Sequence, residues 1–450
     1  ALRALRRLRR RARLPPGSFG LPLLGEMVEY MKDPEEFTRS RHEKHGGTFK
    51  TNVLLRPVVF LQPTPENIKF IYSNRDLGWA DFWKDVVGRT SLAMVNDPLH
   101  KRMRSVYGRA FTQAQLDRYL AVFAELTQLH LTRWTQASEP QDMRAGIKVY
   151  TFDLAQRIMI GERFSEEKTA QSSQLFDLAT AGMGCMLPYH FPGSYWSKTQ
   201  RARKELVDIY QEIIDRRRVA LANSTPEMPC MLDMVMMDKG QDGGEPTDKE
   251  LQDMCFTMIF AGHDTTLATA QNVLHYLKAE PGMEDELRAE VDAAWDGRAP
   301  VSRGLLQALP KCRAFVVEVL RQTPPVGAVF RLLKQDTVVD GYEVPAGFTL
   351  GLNIKAVNKR GAGDDEGSLK LSRNLDDAGR FVDRTFEASS FATFGGGSRM
   401  CIGYKFAMDE LLVFVMTLLR RYTFTAESSF QAQFPFPSWK VLASFAPRGA

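Results

Sequence analysis

The chain has 450 residues, of which 44% are apolar and 25% are charged, and this composition excludes a disordered or collagen-like protein. Its length exceeds that of a typical domain, but Pro and Gly are scattered and the sequence contains neither a linker-like segment nor a fixed-period repeat. We therefore predict one large domain.

The net charge of +5 is concentrated at the start of the chain. Residues 1–14 (ALRALRRLRRRARL) contain seven Arg and no acid, which leaves 52 bases and 54 acids in residues 15–450. The body is thus nearly neutral, which argues against nucleic-acid binding. The tail suits an anionic membrane surface, the flank of a membrane anchor or an organelle-targeting peptide, but it also fits a solvated segment. The chain starts with Ala rather than Met, which is compatible with a truncated N-terminus.

The five Cys residues indicate a reducing compartment. Their number is odd and no two of them have Cys-x-x-Cys spacing, so the sequence predicts neither a disulfide framework nor a zinc site. Together with the basic tail, this favours the cytosolic face of the endoplasmic reticulum, with membrane association, or an organelle such as the chloroplast.

The first half of the chain is predicted to be mostly helical. Residues 48–53 and 57–61 form a hairpin candidate, and residues 98–222 have a dominantly helical pattern. The stretch 183–196 is rich in Pro, Gly and aromatic residues and is predicted to be an apolar loop. Thr247 and Glu250 form a capping box that begins a long apolar helix.

The second half combines helices with short strands. Residues 311–322 predict a helix that stops before two prolines, residues 329–333, 336–344 and 348–354 predict strands, and residues 404–420 predict another helix. The sequence therefore indicates a mainly α fold with a minor β lobe.

A Gly-rich segment, residues 394–403 (FGGGSRMCIG), directly precedes the helix predicted at 404–420. A single Cys is more often an inert buried thiol than a metal ligand, but the pattern Phe-x-x-Gly-x-Arg-x-Cys-x-Gly is highly specific. It resembles the haem-binding signature of the cytochrome P-450 family. The resemblance implies that Cys401 ligates haem iron and that Phe394, Arg399 and Gly403 contribute to the cofactor site.

Residues 261–266 (AGHDTT) place polar side chains in the middle of the long apolar helix. A buried helix does not carry an acid and hydroxyls without a reason, although a Thr that bonds to its own backbone beside a solvated Asp is an equally good reading of these residues alone. The segment resembles the oxygen-activating helix of the same family. That resemblance implies that Asp264 and Thr265 relay protons during catalysis.

Glu318 and Arg321 are three residues apart and share one helical face. Such a pair is usually a solvated ion pair, but the family has a buried Glu-x-x-Arg pair with a structural role. The family completes this triad with an Arg from a Pro-rich meander. Here residues 357–378 are rich in Gly, Asp and Lys instead, so Arg384 is the best candidate for the third member.

Haem carries two carboxylates, which need cations or donors when they are buried. The candidates are His100, Arg104, Arg331 and Arg399, which match positions used by the family branch that contains retinoid and sterol hydroxylases. The resemblance extends from about Pro15 to the end of the chain, and it implies that residues 15–450 form a cytochrome P-450 haem domain behind the basic tail.

The resemblance implies a monooxygenase with haem b that inserts one atom of dioxygen into an apolar terpenoid, retinoid, sterol or fatty acid. Electrons would come from NADPH through a separate reductase. Predicted pocket walls include the segments 183–196, 326–330 and 434–439. The individual pocket residues are Phe82, Trp83, Phe260, Ala261, Val326, Val329, Phe330 and Phe436. Two alternatives are a haem-thiolate isomerase or dehydratase and a non-catalytic haem-binding protein.

Overall fold

The computed structural model describes residues 13–449 except 23, 54–55, 75–76, 80–82, 186–190, 225, 239–244, 366 and 433–435. Nearly all of the basic tail and the pocket candidate Phe82 therefore lie outside the described residues. The structure is a single domain, 57% helical with small sheets, as predicted. No helix of its described part is long and apolar enough to cross a membrane.

The helices occur in the following order. They are α1 (Met27–Lys32), α2 (Pro34–His45), α3 (Pro65–Ser73), α4 (Lys84–Val87), α5 (Leu99–Gly108), α6 (Gln113–Trp134), α7 (Met143–Ala155), α8 (Glu166–Thr180), α9 (Tyr195–Asn223), α10 (Met231–Met236), α11 (Asp248–Ala279), α12 (Met283–Ala294), α13 (Arg303–Gln307), α14 (Pro310–Gln322), α15 (Ile354–Ala362) and α16 (Tyr404–Arg421).

The strands form three small sheets. They are β1 (Phe49–Val53), β2 (Arg56–Phe60), β3 (Leu77–Trp79), β4 (Gln141–Asp142), β5 (Ala328–Leu333), β6 (Thr337–Val339), β7 (Tyr342–Val344), β8 (Thr349–Asn353), β9 (Tyr422–Gln431) and β10 (Ser438–Pro447). The largest sheet has the order β1-β2-β8-β5-β3, and the others are β4-β10-β9 and β6-β7. The predicted hairpin is confirmed, with Phe49 paired to Phe60 in an antiparallel register.

Helix α11 crosses the helical core and positions the functional groups. The Thr247 hydroxyl accepts the backbone N–H of Glu250, and the Glu250 carboxylate accepts the backbone N–H of Thr247, which confirms the capping box. The helix continues to Ala279, and most of its side chains are buried. Such extensive burial explains why the helix is apolar over most of its circumference.

The prediction of a continuous loop over residues 183–196 is only partly correct. A 3-10 turn occupies Ala181–Gly184, and α9 already begins at Tyr195, where Ser194 caps it by accepting the backbone N–H of Ser197. The segment that starts at residue 357 is likewise more regular than its composition suggested, because α15 continues to Ala362 and a second 3-10 turn covers Leu371–Asn374.

Candidate active site

A cavity of about 460 Å³ lies between α11, the turn that leads from α14 into β5, and the Gly-rich segment before α16. Its walls are predominantly apolar, with aromatic, Met and aliphatic side chains around a few polar groups. Both Cys401 and Thr265 border this cavity. Cys401 follows Thr265 by 136 residues in the chain, so the Gly-rich segment and the AGHDTT segment meet at one site only in the folded protein.

The backbone holds Cys401 in a tight turn. Its N–H donates to the carbonyl of Phe394 at 2.8 Å. Gly397 has φ +65°, and a Cβ there would lie 2.1 Å from the carbonyl oxygen of Tyr72, so only glycine fits both the conformation and the close approach. The glycine at position 397 therefore allows the turn that positions the Cys401 thiol.

The Cys401 side chain is accessible, and it borders the cavity. Burial raises the pKa of the Cys401 thiol, and a hydrogen bond from the backbone of Gly403 and the positive charge of Arg104 oppose that shift. A thiol in such a place becomes a stable thiolate when a metal ion binds it. The position and surroundings of this thiol fit a haem-thiolate ligand.

The four residues predicted to bind the propionates, His100, Arg104, Arg331 and Arg399, all line the same cavity. Burial lowers the pKa of Arg331 to about 10. Burial, followed by the positive charge of Arg331, lowers the pKa of Arg399 to about 10. Buried cations that repel one another are stabilised by an anionic group, so this cluster fits the two carboxylates of haem.

The neighbours of Arg399 and His100 hold these side chains in place. Arg399 donates to the carbonyl of Val95 at 3.1 Å and to Oδ1 of Asn96 at 2.9 Å. His100 is 4% exposed, and its Nδ1 lies 3.4 Å from Oδ1 of Asp97. Burial and the charge of Arg399 lower the pKa of His100, so the imidazole is a neutral donor at neutral pH.

Thr265 lines the cavity, and its Oγ1 donates to the carbonyl of Ala261 at 2.7 Å. Thr269, one turn later, donates in the same way to the carbonyl of Thr265 at 2.9 Å. These bonds satisfy the hydroxyls within the helix. They also place a hydroxyl oxygen of Thr265 where a small molecule in the cavity can reach it.

Asp264 does not line the cavity, although it is adjacent to Thr265 in the chain. Its side chain is buried on another face of α11, where burial raises its pKa to about 6 and the charges of Lys148 and Arg144 oppose that rise. Burial lowers the pKa of Lys148 to about 8, but its Nζ also forms an ion pair with Asp177, which favours the charged form. Asp264 is therefore the group in this pair that exchanges protons near neutrality. Lys148 was not predicted from the sequence. Its position in the mostly apolar helix α7 could have indicated a buried cation.

His263 is fully buried beside Asp264 and completes its surroundings. Its Nδ1 lies 2.7 Å from Oγ1 of Thr151, and its Nε2 lies 3.8 Å from Oδ1 of Asp264. Burial lowers the pKa of His263 to about 3. The imidazole is therefore neutral and adds no compensating charge beside the carboxylate.

The third member of the triad is Arg373, not the predicted Arg384. Glu318 is fully buried and accepts from Arg321 Nε at 2.9 Å and from Arg373 Nη1 at 2.8 Å. The assignment of Arg384 was wrong, because its side chain is half exposed and lies 3.7 Å from Glu387. The 3-10 turn at Leu371–Asn374 directs Arg373 towards Glu318, and no periodic pattern in the sequence predicts this turn.

Asn358 links the Glu318 network to the Cys401 segment. Its Nδ2 donates to the carbonyl of Arg321 at 3.2 Å and to Oγ1 of Thr393 at 2.9 Å, and its Oδ1 accepts the N–H of Ala392 at 2.7 Å. This fully buried side chain therefore joins α14 to the segment before Cys401. Sequence reasoning missed it, because a single Asn carries no local signal.

Most of the predicted pocket residues line the cavity, and the rings of Phe260 and Phe436 lie 5.9 Å apart. The predicted residues that line it are Trp83, Phe260, Ala261, Val326, Val329, Phe330 and Phe436. The prediction for the segment 183–196 was wrong for its described residues, none of which borders the cavity. Met94, Met159 and Met258 line it instead, and their flexible thioethers adapt to irregular apolar ligands.

Comparison with known proteins identifies similar monooxygenases. The chain is 26% identical over 433 residues to cytochrome P450 85A1 of Oryza sativa subsp. japonica, covering 94% of this chain and 90% of that protein. It is 28% identical over 428 residues to beta-amyrin 28-monooxygenase of Medicago truncatula, covering 91% of this chain and 86% of that protein. A structure of retinoic acid-bound cyanobacterial CYP120A1 has the same fold, with a TM-score of 0.85, 24% identity, and coverage of 97% of this chain and all of that chain.

A family model for cytochrome P450 matches residues 15–445, which is almost the entire chain. Haem b with its iron is the cofactor of this family, and the cavity with its thiol and cation cluster fits that cofactor. Enzymes of this family use dioxygen and an organic substrate and receive electrons from a redox partner. The chain belongs to the cytochrome P450 family and is a haem-thiolate monooxygenase.

Proposed function

We propose that this monooxygenase oxidises an apolar terpenoid, retinoid, sterol or fatty acid, and that Cys401 is its iron ligand. The observation that carries this proposal is that Cys401 and Thr265 border the same apolar cavity. Haem, when bound, supplies oxygen activation, and thiolate ligation promotes cleavage of the O–O bond.

The residues of this chain have three tasks around that chemistry. Cys401 holds the cofactor from the turn before α16, while Arg331 and Arg399 with their neighbours hold its carboxylates. The apolar walls exclude water, which strengthens each electrostatic interaction inside the cavity. Thr265 presents a hydroxyl to the reacting region.

Asp264 supplies protons to that region from another face of α11. Its pKa of about 6 lies near neutral pH, which is the range in which a general acid is most effective. The helix backbone separates the Asp264 carboxyl from the cavity, so we infer that Thr265, or a water molecule bound to it, passes the proton on.

The substrate range follows from the apolar walls and from the relatives. One relative is named as a monooxygenase of beta-amyrin and one similar structure contains retinoic acid, and both molecules are large and apolar. A hydrophobic pocket separates such homologous ligands only weakly. We therefore propose a class of substrates and not one compound.

The electron source that we infer is NADPH acting through a separate reductase, since the family uses a redox partner. We further infer that residues 1–14 form a basic tail that attracts the chain to an anionic membrane, because each Arg near such a surface contributes about 1 kcal/mol. Residues 15–450 then form the haem domain, and a membrane of the endoplasmic reticulum or of an organelle such as the chloroplast is the expected location.

The ligand assignment is tested by the spectrum of the dithionite-reduced, carbon monoxide-treated protein. Haem-loaded protein should give the Soret band of a thiolate-ligated complex, Cys401→Ala should lose that band, and Cys185→Ala should keep it. Retention of the band in Cys401→Ala would refute the assignment. Retinoic acid, beta-amyrin and palmitic acid are then added separately. With NADPH, a reductase and dioxygen present, a Soret shift and an oxidised product are expected with at least one of them, and the absence of both with all three would contradict the proposed substrate class.

A further inference from the structure

A second cavity, of about 250 Å³, lies between the start of α6, helices α13 and α14, residues 381–385 and the first turns of α16. We call it the Arg313 cavity. None of its lining residues borders the active-site cavity, so the two are separate sites.

In the Arg313 cavity the carboxylates have hydrogen-bond partners, whereas two of the cations have none among the described residues. Both oxygens of Asp409 accept from Arg303 at 2.6 Å, and Oδ1 of Asp383 accepts the backbone N–H of Thr385 at 3.0 Å. In contrast, the side chains of Arg313 and Lys405 form neither a hydrogen bond nor a salt bridge with any residue that the structure describes. The lining therefore contains two cations that have no direct anionic partner.

Arg313 is held in place despite lacking such a partner. Its guanidinium carbon lies 4.0 Å above the centre of the Phe381 ring, which is a stacking geometry that fixes the plane of the group. Its neighbours Asp383 and Asp409 act on it only through space, and burial lowers the pKa of Arg313. The hydrogen-bond donors of a pre-oriented guanidinium thus remain available to an anion.

The rest of the cavity wall combines apolar side chains with the polar side chains of Gln113, Gln307 and Thr385. Leu306, Met408 and Leu412 border it together with the rings of Phe381 and Tyr404. Counting Arg303, Arg313 and Lys405 against the two carboxylates leaves one excess positive charge in the lining. The cavity thus combines an apolar part of its wall with a surplus of one cation.

We propose that the Arg313 cavity binds a small organic anion, with its carboxylate on Arg313 and its apolar body against Met408 and Phe381. A planar carboxylate matches the paired donors of a guanidinium. The occupied cavity is coupled to the haem ligand segment, because the ring of Tyr404 borders the cavity and lies 5.9 Å from the ring of Phe394. This makes the cavity a regulatory site next to the thiolate segment.

The test uses benzoate and calorimetric titration of the haem-loaded protein. The active-site cavity is first saturated with clotrimazole, so that benzoate cannot bind there. We expect one benzoate per chain, no comparable binding of benzyl alcohol, and a small change of the Soret band on binding. Arg313→Gln should weaken benzoate binding by about tenfold to a hundredfold, since a hydrogen bond to a charged group contributes about 1.5–3 kcal/mol.

Two further variants separate loss of the site from loss of the fold. Met408→Trp fills the cavity and should abolish benzoate binding while the thermal unfolding midpoint stays within a few degrees. Arg380→Gln, a control on an exposed Arg paired with Asp376, should bind benzoate like the parent. The proposal is overturned if the parent does not bind benzoate, if it binds benzyl alcohol equally well, or if Arg313→Gln or Met408→Trp retains full affinity while folded.

Discussion

Glu318 and Asp264 are both buried carboxylates, at 0% and 9% exposure, but their surroundings differ in kind. Glu318 accepts hydrogen bonds from Arg321 and Arg373 and from the backbone N–H of Lys370. Asp264 accepts no hydrogen bond through its carboxylate from any described residue, and its closest ionisable neighbour, His263, is neutral. One carboxylate is fully partnered, and the other is not.

The difference shows how burial can serve two purposes. A buried charge with complete hydrogen bonding holds several chain segments in one arrangement, and removing any partner leaves an uncompensated charge. A buried acid with few partners has a raised pKa and exchanges its proton near neutral pH. Glu318 therefore stabilises the arrangement of chain segments that holds the Cys401 segment. We assign proton transfer to Asp264.

The largest effect is expected from breaking the Glu318 network. Arg373→Gln should lower the free energy of unfolding by about 3 kcal/mol, because one of two guanidinium partners of a buried carboxylate is lost. Arg384→Gln is the matched control, and it should change this quantity by less than about 0.5 kcal/mol because its ion pair is exposed. Urea unfolding of the haem-loaded proteins measures both. Equal destabilisation by the two variants would show that Arg373 is not the third member of the triad.

A smaller effect, with a defined pH dependence, is expected at Asp264. Its folded pKa of about 6 exceeds the unfolded value of about 3.9, so the folded chain binds more protons between these values. Stability from this group is therefore present at low pH and is lost as pH rises through about 6. Asp264→Asn removes that loss, so the variant should be more stable than the parent by about 3 kcal/mol at pH above 7.

The measurement for Asp264 is urea unfolding of parent and variant at several pH values. The stability difference should disappear below about pH 4, where the parent carboxyl is protonated in both states. Asp208→Asn, on the surface and paired with Lys204, should show no such pH-dependent gain. A stability difference at Asp264 that is independent of pH would contradict the raised pKa.

The smallest effect on stability is expected at Thr265, where the readout is chemical. Thr265→Ala should lower the free energy of unfolding by less than about 1 kcal/mol, since only a hydrogen bond within one helix is lost. It should keep haem and substrate binding but release more peroxide per NADPH consumed, measured with the reconstituted reductase. Thr269→Ala removes the same type of bond one turn later and should leave the coupling unchanged. Unchanged coupling in Thr265→Ala would refute the relay.

The parts of the site that are local in the chain could be predicted. The Cys401 segment is a run of neighbouring residues, and its glycines are required by the turn itself. The Glu318–Arg321 pair follows from helical spacing. Arg373 could not be predicted, because its contact with Glu318 spans 55 residues and depends on an irregular turn. The role of Asn358 could not be predicted for the same reason.

The prediction for Asp264 shows a different limit. Sequence proximity suggested that Asp264 and Thr265 act on the same side of α11, but consecutive side chains of a helix are separated by about 100°. Thr265 therefore lines the cavity, while Asp264 is buried away from it and is influenced by the charge of Lys148. The segment 183–196 shows the same limit on a larger scale, since an apolar composition indicates burial but does not say against which surface.

The fold class could be predicted from the pattern of helices and short strands, and the cofactor and its thiol ligand from the resemblance of a short, fixed motif to the family signature. The packed structure was needed to show which Arg reaches Glu318, how Asp264 lies relative to the cavity, and that Arg313 borders a second cavity. These features depend on the directions of side chains and on contacts between distant segments. Hydrophobic pattern and local spacing constrain the backbone within one element, whereas pKa shifts and hydrogen-bond partners arise from the neighbours that packing brings together.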